Sequence, residues 1–299
     1  MYKKIIAKSA LNKNDNYFTP YRYDLNVYRG CEHNCSYCYA MYSHKYLDDD
    51  KNFFNNVYFK ENIAEILDKE LSKRTWKRDL IGFGTVCDSY QQVEKELKLS
   101  RQCLEILLKH KASFYMSTKS PLILRDLDLL SKLSEVAPIS IAFSIITTDD
   151  KLGKKLEPNA PLISERINAA KKLKEETKAL VGIHLMPVIP YITDNKENLE
   201  NIVKMASELN LDFITVDMLN LYGETKKSFF KFVEDAFPEK ANSIKEIYKS
   251  SKNISEYNEN LHRLMKSIKN KYHFHNNTIK NVLNDNQIKQ LSIFDADNK

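Results

Sequence analysis

The chain has 299 residues, 42% of them hydrophobic and 29% charged, with a formal net charge of +6. That length can bury one large core, or one core with a small appended unit, and the modest charge permits a polyanionic partner without requiring one. No stretch approaches the roughly 18 apolar residues of a membrane span, and the basic N-terminus loses its apolar run too early for a secretory signal, so a cytoplasmic protein with no membrane partner is expected.

In chain order, apolar runs of strand type fall at Leu25–Tyr28, Leu80–Gly84, Ser113–Ser117, Ile139–Ile145, Val181–Val188 and Phe213–Val216. Amphipathic stretches of helical spacing lie among them at Asn62–Leu71, Glu94–Lys109, Leu122–Leu133, Ile163–Lys174 and Lys196–Leu209. Repeated strand-then-helix units imply parallel pairing with helices outside. The continuous apolar run Ile139–Ile145 is what a sheet buried on both faces requires. The fold class expected is α/β, a partial (β/α)6 barrel, with its chemistry at the C-terminal ends of the strands. Asp88, Lys119 and Pro187 stand at or near such ends. After Leu221 the pattern turns helical and polar, with fourteen Lys and Arg against ten Asp and Glu from Glu224 onward. The expected division is a barrel over 1–222, a helical C-terminal extension over 223–283 and a flexible tail over 284–299.

Five cysteines occur, three of them clustered, which argues against a disulfide framework and for metal or cluster ligation. The cluster reads Tyr28-Arg29-Gly30-Cys31-Glu32-His33-Asn34-Cys35-Ser36-Tyr37-Cys38, a Cys-x3-Cys-x2-Cys spacing. Thiolates hold iron–sulfur clusters, and a cubane usually takes four of them. Three on one tight loop leave the fourth iron open to a small molecule. The rival is a Cys3His zinc site using His33. Against it, His33 lies inside the same short loop, whereas zinc sites usually draw on two separated ligand pairs.

The cysteine string resembles the radical S-adenosylmethionine (SAM) superfamily, whose aromatic before the last cysteine is matched by Tyr37. Further strings narrow the likeness to the spore photoproduct lyase family, also called DNA repair photolyase-like. They are Gly84-Thr85-Val86-Cys87-Asp88-Ser89-Tyr90-Gln91, Ser117-Thr118-Lys119-Ser120 with Leu124-Arg125-Asp126-Leu127, Glu157-Pro158-Asn159-Ala160-Pro161 with Arg166, and Met186-Pro187-Val188-Ile189-Pro190. The resemblance covers about residues 20–222 in order. It implies a 4Fe-4S cluster on Cys31, Cys35 and Cys38 and SAM on the open iron. It also implies an external electron donor and radical chemistry on damaged DNA, as a lyase-like repair enzyme.

By the same resemblance Tyr37 lies by the adenine of SAM, and Lys119 and Ser144 contact its carboxylate and ribose end. The bland alternatives are an exposed lysine at a helix start and a strand hydroxyl bonded to the backbone. Glu157 and Arg166 are expected to form an exposed ion pair, which would contribute little. Cys87 is the catalytic candidate, with two readings: a thiol that gives a hydrogen atom to a substrate radical, or a small residue lining the SAM pocket. Aligned on Asp88, the lyase's donor cysteine falls on Thr85 here, which puts identical chemistry in doubt. Cys103 is expected in the core.

Two features remain. Arg263, Lys266, Lys269 and Lys271 on the helical stretch Glu256–Lys271 are either phosphate contacts or a solvated face. In the tail, Gln290-Leu291-Ser292-Ile293-Phe294 resembles the bacterial sliding-clamp binding peptide, against the alternative of a strand docked on the barrel. The competing functions are the same radical chemistry on a peptide, RNA or metabolite, and a non-catalytic metal-binding adaptor recruited by its tail.

Overall fold

The apolar runs become the parallel strands of one sheet. The computed structural model describes residues 1–15, 19–46 and 52–283. The first elements are β1 (Tyr2–Ile5), β2 (Leu11–Lys13), β3 (Tyr23–Leu25), β4 (Tyr28–Arg29), β5 (Val57–Lys60) and α1 (Ile63–Leu71). Then follow β6 (Ile81–Phe83), α2 (Glu94–Leu97), α3 (Leu99–His110), β7 (Phe114–Thr118), α4 (Leu127–Val136), β8 (Ile139–Ser144) and α5 (Asp150–Leu156). The chain continues through α6 (Ile163–Glu176), β9 (Leu180–Val188), α7 (Lys196–Glu208), β10 (Phe213–Met218), α8 (Gly223–Ala236), α9 (Pro238–Ile247) and α10 (Ser251–Lys271).

The larger sheet runs β10-β9-β8-β7-β6-β3-β2, parallel throughout except for β2, which lies antiparallel on β3. Six parallel strands in sequence order, with helices between them, form the partial barrel that the strand-then-helix repeat predicts. Successive strand residues face opposite ways. On β7, Phe114 and Met116 are fully buried in the core, while Tyr115 and Ser117 line a central cavity. On β9, Ile183 and Leu185 alternate in the same way with His184 and Met186.

Local chemistry adjusts three boundaries. The helix expected over Glu94–Lys109 is divided at Lys98, whose left-handed φ of 52° separates α2 from α3. The stretch from Leu122 starts as a 3-10 turn over Pro121–Asp126, capped by the Ser120 side chain accepting from Leu122 N. The first expected strand splits in two: β3 pairs with β6, whereas β4 leaves the barrel and pairs antiparallel with β5 through Tyr28↔Phe59 and Arg29↔Tyr58. β1 joins β5 in parallel to complete this small second sheet. The cysteine loop therefore hangs between two sheets rather than directly off the first barrel strand.

β10 ends the barrel with one unpaired edge, and such edges are normally covered. Here the Asn276 side chain accepts from Ile214 N (3.0 Å) and donates to Ile214 O (3.1 Å), and Lys269 Nζ donates to the same carbonyl (2.8 Å). For Lys269 neither expected reading, phosphate contact or solvated face, describes its position. Lys269 is spent on the barrel edge, and burial pulls its pKa down to about 8. Lys271 pairs with Glu200 (3.1 Å) and Arg263 donates to Asn260 (2.7 Å). The tail 284–299, including the pentad Gln290–Phe294, lies outside the described residues.

Candidate active site

The cysteine loop starts at a backbone position that a side chain could not occupy. Gly30 has φ of +90°, and a Cβ there would fall on the Asn56 carbonyl oxygen. Past it, Cys31 N donates to Phe53 O (3.3 Å), a turn joins Cys38 N to Cys35 O (3.2 Å), and Ser36 N reaches Leu156 O (2.9 Å). All three thiols line one wall of a cavity of about 520 Å³, at the C-terminal ends of the barrel strands. That volume suits a cofactor site. None of the five cysteines is in a disulfide. Burial pushes the thiols up, Cys35 to about 12 even with the Lys119 charge acting against it.

His33, the fourth ligand of the zinc alternative, instead faces Asp88, with Nδ1 and Oδ2 3.5 Å apart. Among the described residues no three His, Cys, Asp or Glu side chains gather at the spacing of a single metal ion. Three soft thiols on one loop, spread along the wall of a roomy cavity, suit a cubane with one open corner.

Gly84, with φ of +75°, turns the chain off β6; a Cβ there would meet Ser89 Oγ at 2.5 Å. The turn delivers Asp88, whose carboxylate accepts from Tyr90 N (2.8 Å), Thr118 Oγ1 (2.8 Å) and Lys119 N (2.7 Å). Two strand ends are thereby joined beside the thiols. Cys87 is 5% exposed and lines the cavity, and its Sγ donates to Tyr28 O at 3.1 Å. Burial pushes this thiol up to about 12. Thr85 also lines the cavity; its hydroxyl accepts from Asn26 Nδ2 (3.0 Å) and its carbonyl accepts from Tyr39 OH.

Tyr37, Lys119 and Ser144 come together in this one cavity, joined by a pair expected to be exposed. Glu157 and Arg166 are 0% and 1% exposed, and Arg166 Nη2 sits 2.5 Å from Glu157 Oε2. The correction has a clear cause: α6 packs across β8 and β9, so the start of the helix is covered. Arg166 also donates to the carbonyls of Ser144 (2.9 Å) and Pro161 (2.8 and 3.1 Å). Glu157 accepts from Tyr37 OH and lies 3.9 Å from Lys119 Nζ. Burial opposes the Glu157 charge, but Arg166 and Lys119 outweigh it and hold the carboxyl below its usual range. Burial likewise opposes the charge of Lys119, which Cys35 and Glu157 hold above its ordinary pKa. The ammonium lies 5.8 Å from the Tyr37 ring centre.

Sequence reasoning missed the far side of the cavity. Tyr21 stacks on Tyr115 (6.2 Å, 20°), and the Tyr115 hydroxyl meets His184 Nε2. Burial pulls His184 down to about 4, so its ring is neutral near pH 7. Asp217, Asn220 and Tyr222 complete this wall. The available signal was alternation: Tyr115 and His184 are polar residues flanked on both sides by buried apolar ones along β7 and β9.

A sequence profile described as the Radical SAM superfamily matches residues 25–200. An uncharacterized protein of Mycobacterium tuberculosis (strain H37Rv) is 32% identical over 253 residues, 83% of this chain and 74% of that protein. One of Methanocaldococcus jannaschii is 30% identical over 236 residues, 79% of this chain and 83% of its own. A solved spore photoproduct lyase variant superposes with a TM-score of 0.62 at 12% identity, over 91% of this chain and 79% of the lyase. The lyase complexed with dinucleoside spore photoproduct gives 0.59 at 13% identity over 80% of this chain. In that case the chain spans 66%, just under two thirds, of the lyase's length. At such identities the likeness concerns the fold alone.

Proposed function

This chain belongs to the radical SAM superfamily, and from that premise we propose that it acts on nucleobases of damaged DNA, in the manner of a lyase-type repair enzyme. The family implies a 4Fe-4S cluster and SAM; together, when reduced by an external donor, they supply a 5′-deoxyadenosyl radical, and that hard chemistry belongs to the cofactors. Cys31, Cys35 and Cys38 would hold the cluster. Lys119 would meet the SAM carboxylate, and Ser144 the ribose end. Tyr37, held by Glu157, would lie by the adenine.

The observation that carries the DNA reading is the composition of the cavity. Besides the thiols it is lined by Tyr21, Tyr39, Tyr115 and Tyr222, rings suited to a flat, neutral group. A base taken out of the stack is recognised by just such aromatic packing. The fold likeness to a lyase solved with a dinucleoside lesion supports the same choice. Cys87 is read as a pocket-lining residue, since its thiol is spent on the Tyr28 carbonyl. The pentad Gln290–Phe294 takes the role of a clamp peptide, which raises the local concentration of a repair enzyme without requiring tight lesion affinity.

The test is anaerobic reconstitution followed by incubation with SAM, dithionite and UV-irradiated DNA. Loss of a photoproduct together with 5′-deoxyadenosine formation, and DNA binding that weakens steeply with salt, is the expected result. SAM cleavage with unchanged DNA and no salt-dependent binding would move the substrate to a peptide, RNA or metabolite. Iron content without any SAM cleavage would leave the adaptor reading.

A further inference from the structure

Gln91 is fully buried in the segment between β6 and α2, and its side-chain amide makes two bonds to the cysteine loop. Nε2 donates to Gly30 O at 3.1 Å, and Oε1 accepts from Glu32 N at 3.0 Å. Those two groups flank Cys31 on either side. The carbonyl before a residue and the N–H after it are the pair that a parallel strand partner engages. One amide therefore does for Cys31 what a neighbouring strand does for a residue inside a sheet.

We propose that Gln91 is the positioning residue for the Cys31 arm of the cluster loop, a side-chain stand-in for a missing strand. The surroundings support this. β4 stops at Arg29, so regular pairing ends where Gly30 begins. From there to Glu32 the chain is half-buried or buried, and with only Cys31 N bonded to Phe53 O the carbonyl of Gly30 and the N–H of Glu32 would lack partners, a costly condition. The segment after Gly84 supplies the partners instead. Cys87 donates to Tyr28 O, Gln91 brackets Cys31, and Val93 N donates to Glu32 Oε2 at 2.9 Å. Glutamine alone offers a donor and an acceptor on one rigid plane at this reach. Glutamate would keep the acceptor and lose the donor, and asparagine would be one methylene short.

The test uses the full chain with Gln91→Met, which keeps volume and loses both bonds, Gln91→Asn, and Gln92→Ala at the exposed neighbour as control. In the metal-free protein, Gln91→Met should raise amide exchange at Cys31 and Glu32 while α3 and β6 keep wild-type protection. After reconstitution it should broaden the electron paramagnetic resonance signal of the reduced cluster. It should also lower SAM cleavage about tenfold or more, the usual range for residues that orient metal ligands. Gln91→Asn should fall between the two, and Gln92→Ala should match wild type. Wild-type exchange at Cys31 with an unchanged cluster spectrum in Gln91→Met would overturn the proposal. So would exchange raised equally across α3 and β6, which would make Gln91 an ordinary core residue.

Discussion

The two sides of the cavity are built differently. On the cysteine side the polar side chains are tied together: Asp88 accepts three bonds, Arg166 spans two carbonyls and Glu157, and Gln91 brackets Cys31. Across the cavity Tyr21 stacks on Tyr115, β9 and β10 add His184, Met186, Pro187 and Asp217, and Tyr222 follows; among the described residues these side chains make few bonds beyond the Tyr115–His184 contact. Placing a cluster and SAM demands fixed geometry, because reacting atoms misplaced by an ångström lose much of their rate. A flat substrate face needs shape and stacking, which tolerate variation. On the function proposed above, the braced side is the cofactor side and the sparse side the substrate side.

Breaking the braced side should have the largest effects. Cys31→Ala, Cys35→Ala or Cys38→Ala should abolish the brown chromophore and SAM cleavage together, while Cys103→Ala, changed in the core, should keep both. Absorbance and 5′-deoxyadenosine release check this. Next comes the buried pair. Arg166→Met leaves Glu157 buried without its guanidinium, which should destabilise the fold by about 3–5 kcal/mol in denaturant titration. A change below about 1 kcal/mol would mean the pair is as exposed as the sequence suggested.

The sparse side should register as a pH effect. His184 has its folded pKa pulled by burial from 6.5 down to about 4. A depressed histidine contributes stability that is present above the unfolded value and is lost as pH falls through the folded value. The shift corresponds to about 3 kcal/mol, lost between about pH 6.5 and 4. His184→Gln should flatten that part of the stability profile, measured by urea unfolding across the range. An unchanged slope would place the ring in contact with water.

The smallest effects separate Lys266 from Lys269. If the exposed Lys266 meets phosphate, Lys266→Ala should reduce the log–log salt slope of DNA binding by about 0.9. Lys269→Ala should instead lower stability, because it strips a donor from the β10 edge. A salt-slope change in Lys269→Ala without loss of stability would reverse that assignment.

What the sequence determined by itself is local. Three cysteines within eight residues must share one loop, whatever the fold around them. Apolar runs such as Ile139–Ile145 must be buried on both faces, so the alternating parallel architecture was legible before any contact was known. Tyr37 and Lys119 were legible as candidates from matched strings, and Ser144 from its place at a strand end within the matched region. What tertiary structure decided is which distant groups meet and how much water remains between them. Glu157 and Arg166 are nine positions apart in the chain, yet their burial depends on α6 crossing two strands. Gln91 touches Gly30 across 61 positions, and no periodicity in either segment encodes that contact. The split of the first strand into β3 and β4 depended on β5 being available to pair with β4. Periodicity and spacing report forces between near neighbours along the chain. Burial, and the strength it lends to each charge and hydrogen bond, exists only once remote segments have excluded the solvent.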